Sequence, residues 1–223
     1  VVSQTQDPVP RRTEREGQPV AVANALLTVS EAVNRLTRLD EILETVVEVA
    51  PRSLAVDYCG IALWAEDTGT YVGAVAAGAG PTIDHRFVGL RVSPEEAPDF
   101  EWVRRLGHCA VVPASEIPGT LGAEVPDMLI APLLSGERFY GVIQFARRGA
   151  GQPFTQRDLT IADGVARQTT VALERARLVE DAHRAALIFK HAGRDLRGVA
   201  ANLYERVVET AEENIPEVTV TKR

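Results

Sequence analysis

The sequence predicts an α+β domain: a central antiparallel sheet, helices on one of its faces, loops over the other, and a long C-terminal helix. Three observations carry that expectation. Two amphipathic segments occupy residues 19–50. Two apolar hairpin patterns follow, at 58–77 and 128–146, each folded about a Gly-containing turn. A stretch with no proline then runs between Pro153 and Pro216, long enough for one extended helix.

Residues 1–18 are polar, aperiodic and carry Pro8, Pro10 and Gly17, which reads as a disordered tail or linker. From Pro19, Val22, Leu26, Val29, Val33 and Leu36 recur at three- and four-residue steps, the stripe of an amphipathic helix. A second helix places Leu39, Ile42, Leu43, Val46, Val47 and Ala50 on one face. Pro51 is expected to kink or restart it. Tyr58–Ala65 and Tyr71–Ala77 are strands joined by Glu66–Gly69. Residues 78–98 are rich in Gly, Pro and charge, and read as a long irregular connection. Phe100–Leu106 suits a short helix stopped by Gly107. Cys109–Val112 is a short strand stopped by Pro113, and a second Gly/Pro-rich loop follows. Met128–Leu134 and Arg138–Ala146 form the second hairpin, with Gly136 supplying a positive φ. Thr155 and Asp158 have the spacing of a capping box at the start of the last helix, which runs to about His191.

Composition narrows the function classes. The 223 residues include 24 basic and 31 acidic side chains, a net charge of −7. An acidic chain with no Lys/Arg block is a poor electrostatic match to nucleic acid or to an anionic membrane. No apolar run approaches the length of a transmembrane helix. The opening residues lack a secretory pattern, so a cytoplasmic location is expected, and the start at Val1 is what a fragment of a longer protein would show. Cys59 and Cys109 read as free thiols. His183 and His191 are eight residues apart on a helix and cannot share a metal ion, so no metal site is expected.

The order of elements resembles the GAF domain family over residues 20–180. The segments WVRRLGHCAVVPASE, MLIAPLLSGERFYGVIQFARR and PFTQRDLTIADGVARQTTVAL carry the likeness best. The resemblance implies a GAF-like sheet with a small-molecule pocket under the loops at 78–127. Candidate lining residues are Phe100, Trp102, His108, Cys109, Glu116 and Met128. Each also has a plain reading as core or surface. Arg148, Phe154 and Asp158 partly match the signature of cyclic-nucleotide-binding members. Arg147 and Leu159 depart from it, so these residues read as a structural motif in which Arg148 pairs with Asp158. A haem is disfavoured for want of a convincing axial ligand. A bilin is disfavoured because the order here is His108-Cys109, the reverse of the photoreceptor pattern.

The expected organisation is a tail at 1–18, a GAF domain at 19–180, a helical extension at 181–215 for dimerisation and signalling, and a frayed end at 216–223. The expected activity is sensory or regulatory: a small molecule binds, and a homodimeric coiled coil passes its state to an output kinase, phosphatase or regulator module, as in two-component systems. Two rivals stand beside it. One is an enzyme like the free methionine sulfoxide reductases, opposed by the missing cysteine before Met128; the other is a ligand-free dimerisation scaffold. Ala192–Leu203 faintly resembles a histidine-kinase phosphoacceptor box, but Arg194 stands where its His would be.

Overall fold

A computed structural model describes residues 13–78, 80–113, 127–148, 152–191 and 204–208. The chain runs α1 (Thr13–Val33), α2 (Leu39–Leu54), β1 (Tyr58–Ala65), β2 (Thr70–Ala77), α3 (Pro81–Phe87), β3 (Arg91–Val92), α4 (Pro98–Leu106), β4 (Ala110–Pro113), β5 (Asp127–Ser135), β6 (Arg138–Ala146) and α5 (Gln156–His191). The six strands form one sheet in the order β3-β2-β1-β6-β5-β4, every neighbouring pair antiparallel.

Strand alternation divides the core in two. On one face Cys59, Ile61, Leu129, Leu133, Ile143 and Phe145 pack against α1, α2 and α5 through Val29, Ile42, Val46, Ile161, Val165 and Leu173. On the other face Tyr58, Ala62, Tyr71, Met128, Ile130, Phe139 and Val142 meet Phe100 and Val103 of α4. The apolar repeat of α2 persists through Pro51 to Leu54, so the proline does not end this helix. Ala55, in a left-handed conformation, ends it.

Two regions differ from the sequence expectation. Helix α1 begins at Thr13, so residues 13–18 are helical rather than part of a tail; residues 1–12 lie outside the described residues. The stretch 78–98 contains α3 and the short strand β3. Pro81 sits at the first turn of α3, where its missing N–H costs nothing, and Gly80 supplies the positive φ before it. The C-terminal extension is described only in part. Helix α5 reaches His191 as expected. A continuous helix would then carry Tyr204 about 31 Å beyond His183, yet the two rings stand 6.2 Å apart. Residues 204–208 therefore lie beside α5 and not beyond its end. Residues 192–203 and 209–223, which hold most of the extension and the frayed end, lie outside the described residues.

Candidate functional site

The face of the sheet under α4 carries polar groups at both ends of β1. At its start, Tyr58 lies along the strand above Gly60; a Cβ on Gly60 would run into the Tyr58 hydroxyl and come within 3.3 Å of Gln144 Nε2. Gly60 is opposite Gln144 in the register, and Tyr58 and Gln144 are both buried, at 2% and 3% exposure. The Tyr58 hydroxyl is buried with no hydrogen-bond partner. Burial, and then the nearby Cys59 and Asp84, push its pKa up, so it is a neutral donor at physiological pH.

At the other end, three strands bring aromatic rings together. Trp64 of β1 meets Tyr71 of β2 edge-on at 5.0 Å, and Phe139 of β6 meets Tyr71 at 6.0 Å. Phe100 of α4 closes on Tyr71 at 5.1 Å. The Tyr71 hydroxyl donates to Glu101 Oε1 at 2.6 Å. Burial and that carboxylate hold its pKa above the ordinary tyrosine range. Arg104, one turn along α4, lies over both Trp64 and Phe139.

The six sequence-derived lining residues separate. Phe100 and Met128 sit in the core under α4. Trp102 is 43% exposed on the outer side of α4. His108 is exposed, with Nδ1 3.0 Å from the Cys109 carbonyl. Cys109 faces α5: its amide donates to Asp163 at 2.7 Å and its thiol to the Leu159 carbonyl at 3.2 Å. Burial first, and Asp163 second, push that thiol from 9.0 to about 12. Glu116 lies outside the described residues. Sequence reading passed over Tyr58, Gln144, Tyr71 and Glu101. A polar residue inside an apolar strand was the available signal for Gln144.

The Arg148–Phe154–Asp158 motif resolves differently from the expected pairing. Arg147, not Arg148, forms the ion pair with Asp158, at 3.2 Å. Arg147 also donates to the Leu54 and Ala55 carbonyls at the end of α2 and covers the Phe154 ring. Consecutive residues leave a strand end on opposite sides, and Arg148 instead donates to the Gly78 carbonyl at 2.6 Å. Asp158 closes the capping box, accepting from the Thr155 amide at 2.8 Å and hydroxyl at 2.9 Å.

A cleft of about 820 Å³ opens where the start of α2 and the ends of β1 and β6 meet α5. Leu63, Tyr140, Leu173 and Ala176 are among its apolar lining, and Arg38, Arg138, Asp181 and Arg184 among its charged lining. Among the described residues no group of three His, Cys, Asp or Glu side chains is placed to hold a metal ion. No described helix is long and apolar enough to cross a membrane.

The GAF domain family model matches residues 38–173. No curated protein matches the sequence. Among solved structures, the GAF domain of a phosphoenolpyruvate-protein phosphotransferase from Coxiella burnetii is 19% identical and superposes with a TM-score of 0.60, covering 71% of this chain and 95% of its own. The corresponding domain from Acinetobacter is 18% identical with a TM-score of 0.59, covering 70% and 95%. A free methionine-R-sulfoxide reductase from Neisseria meningitidis is 17% identical with a TM-score of 0.56, covering 70% and 90%.

Proposed function

Since the chain belongs to the GAF domain family, we propose that it is a sensory or regulatory domain that binds a small molecule on the face of the sheet under α3 and α4. The unmet hydroxyl of buried Tyr58 carries this reading. A buried hydroxyl without a partner costs about 1–3 kcal/mol, and a ligand bonded to it would remove that penalty. Gln144 stands beside it with a second buried polar group. The site is neutral on both side chains, so it suits an uncharged hydrogen-bonding head group.

The relay runs through the opposite face. Exposed Val20 and Leu27 of α1 and Val171 and Leu178 of α5 each lie seven residues apart, the spacing of a helix seam. A homodimer formed on these stripes would report a shift of the sheet against α5 to an output module, and two packings of that seam would be the two signalling states. The state of the thiols supports a role without catalysis. Cys59 and Cys109 are both buried, with pKa values raised by that burial, the reverse of what a thiolate nucleophile needs.

Thermal shift of the full chain against a panel of small polar metabolites tests the reading. A ligand that binds only the folded state raises Tm. The expected result is a hit whose shift disappears in Tyr58→Phe. A hit whose shift survives both Tyr58→Phe and Gln144→Leu places the ligand elsewhere and contradicts the proposal.

A further inference from the structure

We propose that the aromatic cage of Trp64, Tyr71 and Phe139 is a second binding site, for a small guanidinium-bearing ligand, with Arg104 as its built-in competitor. The site lies six residues along β1 from Tyr58, about 20 Å away, and does not rest on the reading above.

The cage already holds the chemistry in question. The Arg104 guanidinium carbon is 4.7 Å from the centre of the Trp64 ring and 4.6 Å from that of Phe139. Cations held over two aromatic rings are the arrangement by which proteins recognise organic cations, and guanidinium suits it because it is planar and weakly hydrated. Glu101 adds a carboxylate, held in place by the Tyr71 hydroxyl at 2.6 Å. A guanidinium on the rings could donate N–H bonds to that carboxylate.

Among the described residues Arg104 bonds only to side chains, Glu101 and Tyr71, whereas the structural arginines of this chain hold backbone carbonyls at short range. Arg147 donates to the Leu54 carbonyl at 2.8 Å, and Arg175 to the Val33 and Leu36 carbonyls at 2.8 and 2.9 Å. The bond from Arg104 to Glu101 is 3.3 Å, long for a charge-assisted pair. Its side chain is 35% exposed, against 16% for Arg147. The rings belong to strands at the centre of the sheet, whereas Arg104 comes from a nine-residue helix. Trp64 is half-buried and the Arg104 side chain over it is 35% exposed, so solvent reaches this end of the cage. Displacing Arg104 would release the hold of α4 on β1 and β6.

The test uses the full chain carrying Trp102→Phe, which leaves Trp64 as the single tryptophan. Ethylguanidinium chloride is titrated while Trp64 emission is followed, with urea as the neutral isostere and sodium chloride as the ionic control. The expected result is a saturable change with ethylguanidinium alone. Arg104→Ala should bind about tenfold tighter, because the internal competitor is gone. Phe139→Leu should bind about tenfold weaker, having lost one ring. Arg104→Gln serves if the Ala variant does not fold, and the titration of the arginine-containing protein stands without either. No saturation, an equal response to urea, or no gain in affinity on removing Arg104 overturns the proposal.

Discussion

Replacing Tyr58 with Phe deletes a buried hydroxyl that has no partner. The ligand-free variant should therefore be as stable as the parent, or more stable by about 1 kcal/mol, while losing the ligand. A urea melt in which Tyr58→Phe is destabilised by more than that would show the hydroxyl to be satisfied in the unliganded protein. Asp158→Ala points the other way. It breaks the ion pair to Arg147 and both bonds to Thr155, and leaves a mostly buried guanidinium without its carboxylate. The expected loss is about 3 kcal/mol, read from the shift in urea midpoint. The Cys109 thiol gives a pH signature. Its folded-state pKa is raised to about 12, so from about pH 9 upward the unfolded chain releases a proton that the native state retains, and stability falls as pH rises toward 12. Below pH 9 both states hold the proton and the thiol contributes no slope. Between pH 7.5 and pH 10.5 the parent should lose about 2 kcal/mol more than Cys109→Ala. At this scale the sequence was legible where spacing alone decides, as in the Thr155–Asp158 capping box. It was not legible where a side chain could leave either side of the backbone. The Arg147/Arg148 choice and the turn of Cys109 toward α5 both depend on strand phase, which one residue inverts.

At the scale of the element, Arg175 fastens α5 to the end of α1. It donates to the carbonyls of Val33 and Leu36, groups that helix geometry leaves without intrahelical partners, and burial lowers its pKa. Arg175→Met keeps the apolar stem and removes the donors. Amide exchange should accelerate in α1 and remain slow in β1, β5 and β6; uniform acceleration across the sheet would show instead that α1 is part of the central folding unit. The β5–β6 hairpin, α4 and α5 were readable because their signals are local: Gly136 in the turn, Gly107 at the helix stop, and the absence of proline. The elements α3 and β3 were not. A seven-residue helix and a two-residue strand carry too few periods for the pattern to register, and β3 exists because Tyr71 and Val72 of β2 offer it a partner. The start of α1 at Thr13 is hidden for a related reason, since Thr13–Gln18 contains no apolar side chain.

For the whole molecule, the two-layer plan follows from strand alternation and was legible. Gly193 and Gly198 offer a place for the last helix to break, but the contact of Tyr204 with His183 itself is not written in the pattern. The apolar stripes of α1 and α5 predict a dimer that Leu27→Glu combined with Val171→Glu converts to monomer in sedimentation velocity, with far-UV circular dichroism unchanged, since both positions are more than half exposed. Native mass spectrometry of the freshly purified full chain beside Tyr58→Phe reads subunit count and bound ligand together. The expected result is a dimer carrying one small molecule per subunit in the parent and a bare dimer in the variant. A bare monomer in the parent, or the same adduct retained by Tyr58→Phe, would contradict it.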